Sequence, residues 1–234
     1  MVPGFLFLNQ ATANFMAHHP HAFLPGASRR LEALSDGVFA IACTLLVLEI
    51  KAPHFGHADT LAEQWEKFIP TLWSIAAFVF SFLNILIFWN NHDAINKVIV
   101  RYDPKTTYLN IVFLLFISLI PFTTIFIREE HTSFIAIAAY GLVLMLASVI
   151  AVWMYHHLAF KAKLFYPEVT MTSRKKIYKQ VVSGPILFAI AILLGLISPY
   201  ISIAIYAITP VSFMFLPQLD FDTKEEEKSK EHQG

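Results

Sequence analysis

Charge is scarce in this chain. Only 15% of its 234 residues are Asp, Glu, Lys or Arg, against roughly 25% in a soluble globular domain. Lys plus Arg and Asp plus Glu both number 17, so formal net charge is zero and no basic field exists to hold nucleic acid. Cysteine is almost absent. Lone Cys43 excludes an intramolecular disulfide and a CxxC pair, and a single thiol in an apolar stretch is packing. Neither HExxH nor GxSxG occurs, so the chain carries no zinc-protease or nucleophile-elbow signature, and an enzyme is not expected. No TVGYG loop occurs, which excludes a carbonyl selectivity filter of that kind. No basic stretch precedes GFLFL near the N-terminus and no small-residue cleavage site follows, so residues 1–27 do not resemble a signal peptide.

What is present is apolar: 56% hydrophobic residues, with 22 Phe. A membrane-spanning helix needs about 20 such residues. Six runs qualify or nearly so: Leu34–Ile50, Phe68–Trp89, Tyr108–Ile127, Ser133–Tyr155, Val181–Ser198 and Tyr200–Leu216. The last five hold no charged residue, and the final two meet at Ser198-Pro199-Tyr200, a turn signal. An N-in, C-in arrangement leaves Lys51, Lys67 and Arg128 outside and puts all the other Lys and Arg inside, as the positive-inside rule requires. Trp89, Trp153 and Tyr155 then sit at inner span ends, where aromatic anchors belong. The expected fold is an all-α integral membrane protein of the cell membrane, multi-pass, with six spans. Residues 1–28 form a cytoplasmic tail, 29–217 the helical subunit, and 218–234 a disordered tail. His18, His19 and His21 read as a surface cluster on a mobile tail, not a metal site. Pro25-Gly26 breaks the chain, and Ser28 is a candidate cap for the first helix. The stretch Lys161–Lys179 reads as a basic cytoplasmic loop, chiefly a topology signal.

Arg29–Ile50, RRLEALSDGVFAIACTLLVLEI, is the most informative segment. Charged groups at the entrance of a membrane helix are costly and mark a pathway or a helix lock. At ~100° per residue with Ile41 at zero, Leu45 falls at ~40°, Leu48 at ~−20° and Thr44 at ~−60°. One face thus carries bulky Ile41, Leu45 and Leu48 with one hydroxyl. Such a stripe either packs against lipid and protein or, repeated around a symmetry axis, forms an apolar ring that gates by dewetting. Ser-Asp-Gly occurs once, so one chain supplies one such helix and a pore needs several chains. Glu49 near the outer end would raise local cation concentration.

Ser35 and Asp36 fall off that face, at ~120° and ~−140°. A buried carboxylate needs donors. Trp89 and His92, at the end of the second span, and Asn110, at the start of the third, lie at the matching depth. A network of Arg30, Ser35, Asp36, Trp89, His92 and Asn110 would lock the first helix to its neighbours. The competing use of Asp36 and His92 is a proton relay in a coupled secondary transporter. No inverted repeat or paired broken helix supports it.

The run Arg30, Leu31, Glu32, Ala33, Leu34, Ser35, Asp36 resembles the Arg-x-x-x-Phe-Ser-Asp signature of the transmembrane protein 175 family, potassium channels of lysosomes and bacteria. Leu34 stands where the family has phenylalanine. The end of the second span and LNIVFLLFISLIPF of the third are also similar, so the resemblance covers about residues 29–216. It implies a potassium-selective leak channel, a homotetramer of six-helix subunits with the pore lined by the first helix. It further implies a constriction at Ile41, selectivity at Thr44, and continued apolar lining by Leu45 and Leu48. Potassium would pass near Ile41 and Thr44, with no cofactor or bound metal required.

Overall fold

The computed structural model describes residues 26–48 and 50–215. Glu49, the histidines at 18, 19 and 21, and the C-terminal tail lie outside them. The described residues form six α-helices and one π-helical turn: α1 Gly26–Leu48, α2 Leu61–Asn96, α3 Pro104–Glu129, α4 Phe134–His156, α5 Met171–Leu194 and α6 Pro199–Phe215. The π turn, His157–Lys161, extends α4. Five of the helices are long and apolar enough to cross a membrane, and α6 is a shorter apolar helix.

Local chemistry sets the boundaries. Thr60 and Glu63 close a capping box at the start of α2, with the Thr60 N–H on Glu63 Oε2 at 2.7 Å. Asp103 caps α3 by accepting from the Thr106 N–H at 2.8 Å, and Pro104 follows at the first helical position, where its missing N–H costs nothing. Thr170 caps α5. These caps explain two departures from the sequence reading. Helix α2 has 36 residues, about 54 Å at 1.5 Å per residue, so it overruns Phe68–Trp89 at both ends. Helix α5 begins ten residues before Val181 and takes in the second half of the presumed basic loop. Helix α1 begins at Gly26, two residues before Ser28, so its start is not at Ser28.

The rest of that loop is ordered by Arg174, which is 8% exposed. Its guanidinium donates to the carbonyls of Val169, Ala159 and Tyr166 at 3.1–3.2 Å. Arg174 is therefore a structural staple as well as a positive charge. Beside it Tyr155 is fully buried and donates to the Arg174 carbonyl at 3.0 Å, so Tyr155 is no interfacial anchor. Trp89 and Trp153 do keep exposed rings.

Two apolar clusters hold the bundle. The larger runs through the helices and includes Phe39, Phe80, Phe113, Ile117, Tyr140, Leu144, Phe188 and Tyr206. The smaller closes the end where α1 starts, with Ile99, Tyr155, Leu158, Phe165 and Ile177. Helix α1 packs on α2 and α3, while α4 lies between α3 and α5. Polar side chains join helices inside this core. Proline 210 lacks an N–H, so the Tyr206 carbonyl four residues earlier loses its helical donor. The Asn84 amide from α2 fills that gap at 3.1 Å.

Candidate pore helix and its anchoring network

Helix α1 buries one narrow stripe. Leu31, Ser35, Phe39, Ala42 and Leu46 are each at most 9% exposed, and their spacing of three or four residues puts them on one face. Glu32, Val38 and Cys43 flank it half-buried, and the other residues described from Arg29 to Leu48 are exposed. Ile41 is 59% exposed, Leu45 44% and Leu48 74%, with Leu34, Gly37 and Thr44 exposed on the same side. A Cβ added at Gly37 would meet nothing within 4 Å. The face read from the helical wheel is thus a largely apolar surface that the described residues do not cover.

Thr44 has a defined orientation on it. Its hydroxyl donates to the Ile41 carbonyl at 2.9 Å. The proton is directed into the helix, and what the side chain presents outward is oxygen lone pairs. That is the half of a hydroxyl that suits a cation.

Behind the buried stripe lies a chain of hydrogen bonds. Ser35 donates to the Leu31 carbonyl at 2.9 Å. The Asn110 amide nitrogen donates to Ser35 Oγ at 2.9 Å. Asn110 Oδ1 pairs with His92 Nε2 at 2.8 Å, and His92 Nδ1 pairs with the Asn96 amide nitrogen at 3.1 Å. Tyr102 donates in turn to Asn96 Oδ1. Ser35, His92 and Asn110 are all buried. The ring of His92 stacks on Phe113 at 5.9 Å. A second contact is separate: Trp89 Nε1 donates to Asp36 Oδ1 at 3.0 Å, on the exposed side.

The structure therefore brings together Ser35, His92 and Asn110, and separately Asp36 and Trp89. Arg30 is exposed and makes no hydrogen bond or ion pair within the chain among the described residues. Asp36 and His92 share no hydrogen bond, since each is bonded elsewhere. Sequence reasoning missed Asn96 and Tyr102. Asn96 stands four residues after His92 on α2, and that helical spacing was the signal available.

Asp103 and His157 form a further anchor, Oδ2 to Nε2 at 2.7 Å, tying the start of α3 to the π turn after α4. Burial would push the Asp103 carboxyl up, but hydrogen bonds from Thr106 and His157 outweigh it and hold the group down at about 2.

Comparison with known proteins converges on one family. The family model described as the endosomal/lysosomal potassium channel TMEM175 matches residues 30–121. A protein named as a potassium channel from Streptomyces collinus is 31% identical over 192 residues, covering 80% of this chain and 92% of the relative. One of the same description from Chamaesiphon minutus is 32% identical over 188 residues, covering 79% of this chain and 92% of the relative. The crystal structure of a lysosomal potassium-selective channel TMEM175 homolog from Chamaesiphon minutus superposes with a TM-score of 0.70 at 29% identity. It covers 80% of this chain and 96% of that one.

Proposed function

This chain belongs to the TMEM175 family of potassium channels, and from that premise we propose that it forms a potassium-permeable leak channel in the cell membrane, assembled from four copies around α1. The family is one of ion channels, not enzymes. The observation that carries the finer reading is the unpaired face of α1. A span that buries only a stripe of its own bundle leaves Ile41, Leu45 and Leu48 for copies of itself.

Four such faces would close an apolar throat at Ile41. The ring offers no ligands to a bare ion, so an ion crosses it partly hydrated or through a transient widening. Potassium sheds water more readily than sodium, which favours potassium there. Thr44 would set four outward-facing oxygens next to the ring, able to replace some of the lost water. The lock of Ser35, His92 and Asn110 would hold α1 at a fixed rotation, because rotating the helix would turn Ile41 off the axis. An N-in, C-in orientation follows from the placement of Lys and Arg and gives the lock a cytoplasmic depth.

Ion flux in liposomes containing the purified protein tests this. A channel gives fast potassium flux that sets a membrane potential without a proton gradient. Ile41→Asn should raise conductance and weaken potassium preference, since an amide can coordinate sodium at the ring. Slow flux that requires a proton gradient would refute a channel. An unchanged reversal potential in Ile41→Asn would remove Ile41 from the constriction.

A further inference from the structure

Charge in the second half of the bundle is one-sided. From His131 to Phe215 the chain holds one acidic residue, Glu168, against Lys161, Lys163, Arg174, Lys175, Lys176 and Lys179. Arg174 is committed to backbone carbonyls. The five lysines are all exposed, and none makes a hydrogen bond or ion pair among the described residues.

Their placement on α5 follows the uncovered face of that helix. At ~100° per residue with Ile186 at zero, Ile190 falls at ~40° and Leu193 at ~−20°. Toward the N-terminus, Lys179 falls at ~20°, Lys175 at ~−20° and Lys176 at ~80°. Ile186, Ile190 and Leu193 are 53%, 44% and 64% exposed. One stripe is thus aliphatic along the span and cationic where the span ends, with Lys179 about 10 Å below Ile186. Helix α5 packs on α4 and α6, and α1 on α2 and α3, so the stripe lies away from the proposed pore face.

The turn before α5 adds to the same end. The Tyr178 ring meets those of His156 and Phe160, with centroids 5.7 and 5.5 Å apart. That contact brings the backbone next to Lys161 toward the backbone next to Lys179. Lys163 has a φ of 53°, in the left-handed region that glycine enters at no steric cost. A cation is kept there although a glycine would be less strained.

We propose that this face binds an anionic phospholipid. Its acyl chains lie along Ile186, Ile190 and Leu193, and its phosphate is held by Lys175 and Lys179, with Lys176 and Lys161 at the edges. Lysine stems cover apolar surface while their ammonium groups reach headgroup depth. A zwitterionic lipid offers the same chains without net charge, so the selection is electrostatic. The site requires neither a tetramer nor ion passage, and stands apart from the channel reading.

Native mass spectrometry of the full chain released from detergent tests this without reference to flux. The probe is dioleoyl phosphatidylglycerol, offered with an equal amount of dioleoyl phosphatidylcholine. Wild type should retain phosphatidylglycerol preferentially. Lys175→Gln combined with Lys179→Gln should cut that preference about tenfold or more, since each lysine beside an anionic headgroup is worth about fivefold. The charge-matched pair Lys51→Gln with Lys67→Gln, at the opposite end of the bundle, should leave it unchanged. Sizing confirms that each variant is folded. A preference that survives loss of Lys175 and Lys179 would overturn the proposal. So would an equal loss in the Lys51 and Lys67 pair, which would reduce the effect to net charge. Displacement of the lipid by inorganic phosphate, beyond that caused by chloride at equal ionic strength, would assign the lysines to a soluble anion and likewise overturn it.

Discussion

His92 has its two ring nitrogens engaged in opposite senses. An amide NH₂ can only donate and an amide carbonyl can only accept. With Asn96 donating to Nδ1 and Asn110 accepting from Nε2, the histidine is neutral and carries its proton on Nε2. The amide orientations are themselves fixed by the ends of the chain: Tyr102 donates to Asn96 Oδ1, and Ser35 has already spent its proton on Leu31. Every link therefore donates the same way, from Tyr102 through Asn96, His92 and Asn110 to Ser35 and the Leu31 carbonyl. Such a chain should behave as a unit. Asn110→Ala strands the buried His92 N–H and Ser35 Oγ, which costs about 1–3 kcal/mol per group. Asn96→Ala should cost less alone. Thermal melts in detergent of the two single variants and the double should be non-additive, because the second loss falls on a network already broken. Strict additivity would dissolve the idea of a coupled chain. On the opposite face, Thr44→Ala removes outward lone pairs without touching the core. It should lower potassium over sodium preference, read as a shift of bi-ionic reversal potential, with melting temperature unchanged within about 0.5 kcal/mol equivalent.

Helices meet through contacts that depend on what a residue lacks. Gly141 on α4 lets the Tyr206 hydroxyl of α6 reach the Ile137 carbonyl at 3.2 Å. A Cβ at Gly141 would fall 2.0 Å from that hydroxyl and 2.7 Å from Ile192 Cγ1. Gly141→Ala should therefore separate α4 from α5 and α6. The expected cost is about 1–3 kcal/mol, typical of overpacking, measured as a lowered melting temperature; an unchanged melt would show the contact to be dispensable. The Asp103–His157 anchor makes a pH-dependent contribution at the other end. The Asp103 carboxyl is held at about 2, below its ordinary 3.8. Its stabilisation is then fully present above the ordinary value and lost as pH falls through 2. The melting difference between wild type and Asp103→Asn should accordingly be largest near neutrality and narrow between pH 4 and pH 2; a constant difference would exclude the Asp103 carboxylate as its source. These elements also mark what a sequence can reveal. The six apolar runs and the free face of α1 were legible because each is a local period. The reach of α2 past Trp89 was not, since Asn90, Asn91 and Asn96 look like a polar exit until Asn96 is seen bonded to His92. Arg174 was hidden for the same reason: its partners Ala159, Tyr166 and Val169 are backbone carbonyls, which leave no trace in composition.

At the scale of the molecule, the proposed assembly rests on how α1 sits at the edge of the bundle. The bundle core is closed by Phe80, Phe113, Tyr140 and Tyr206, yet α1 lies at the flank with most of its circumference left uncovered by the described residues. In a bilayer apolar exposure alone carries no penalty, so lipid could cover that face. The distinguishing features are Gly37 and Thr44, which place a gap and a hydroxyl where a lipid-facing helix would carry bulk. Cross-linking separates the two coverings. In a Cys43→Ser background, Ile41→Cys puts a thiol on the predicted axis, and Val47→Cys, ~120° away on the wheel, puts one off it. A short bismaleimide reagent applied to the reconstituted protein should join Ile41→Cys subunits efficiently and Val47→Cys subunits poorly. The species without reagent should size as four chains in both cases, since neither position belongs to the Ser35–Asn110 lock. Efficient joining through residue 47 with none through residue 41 would rotate α1 by a third of a turn. It would hand the pore to the Ala40–Val47 side, and with it the explanation of why Thr44 points its lone pairs outward would be lost.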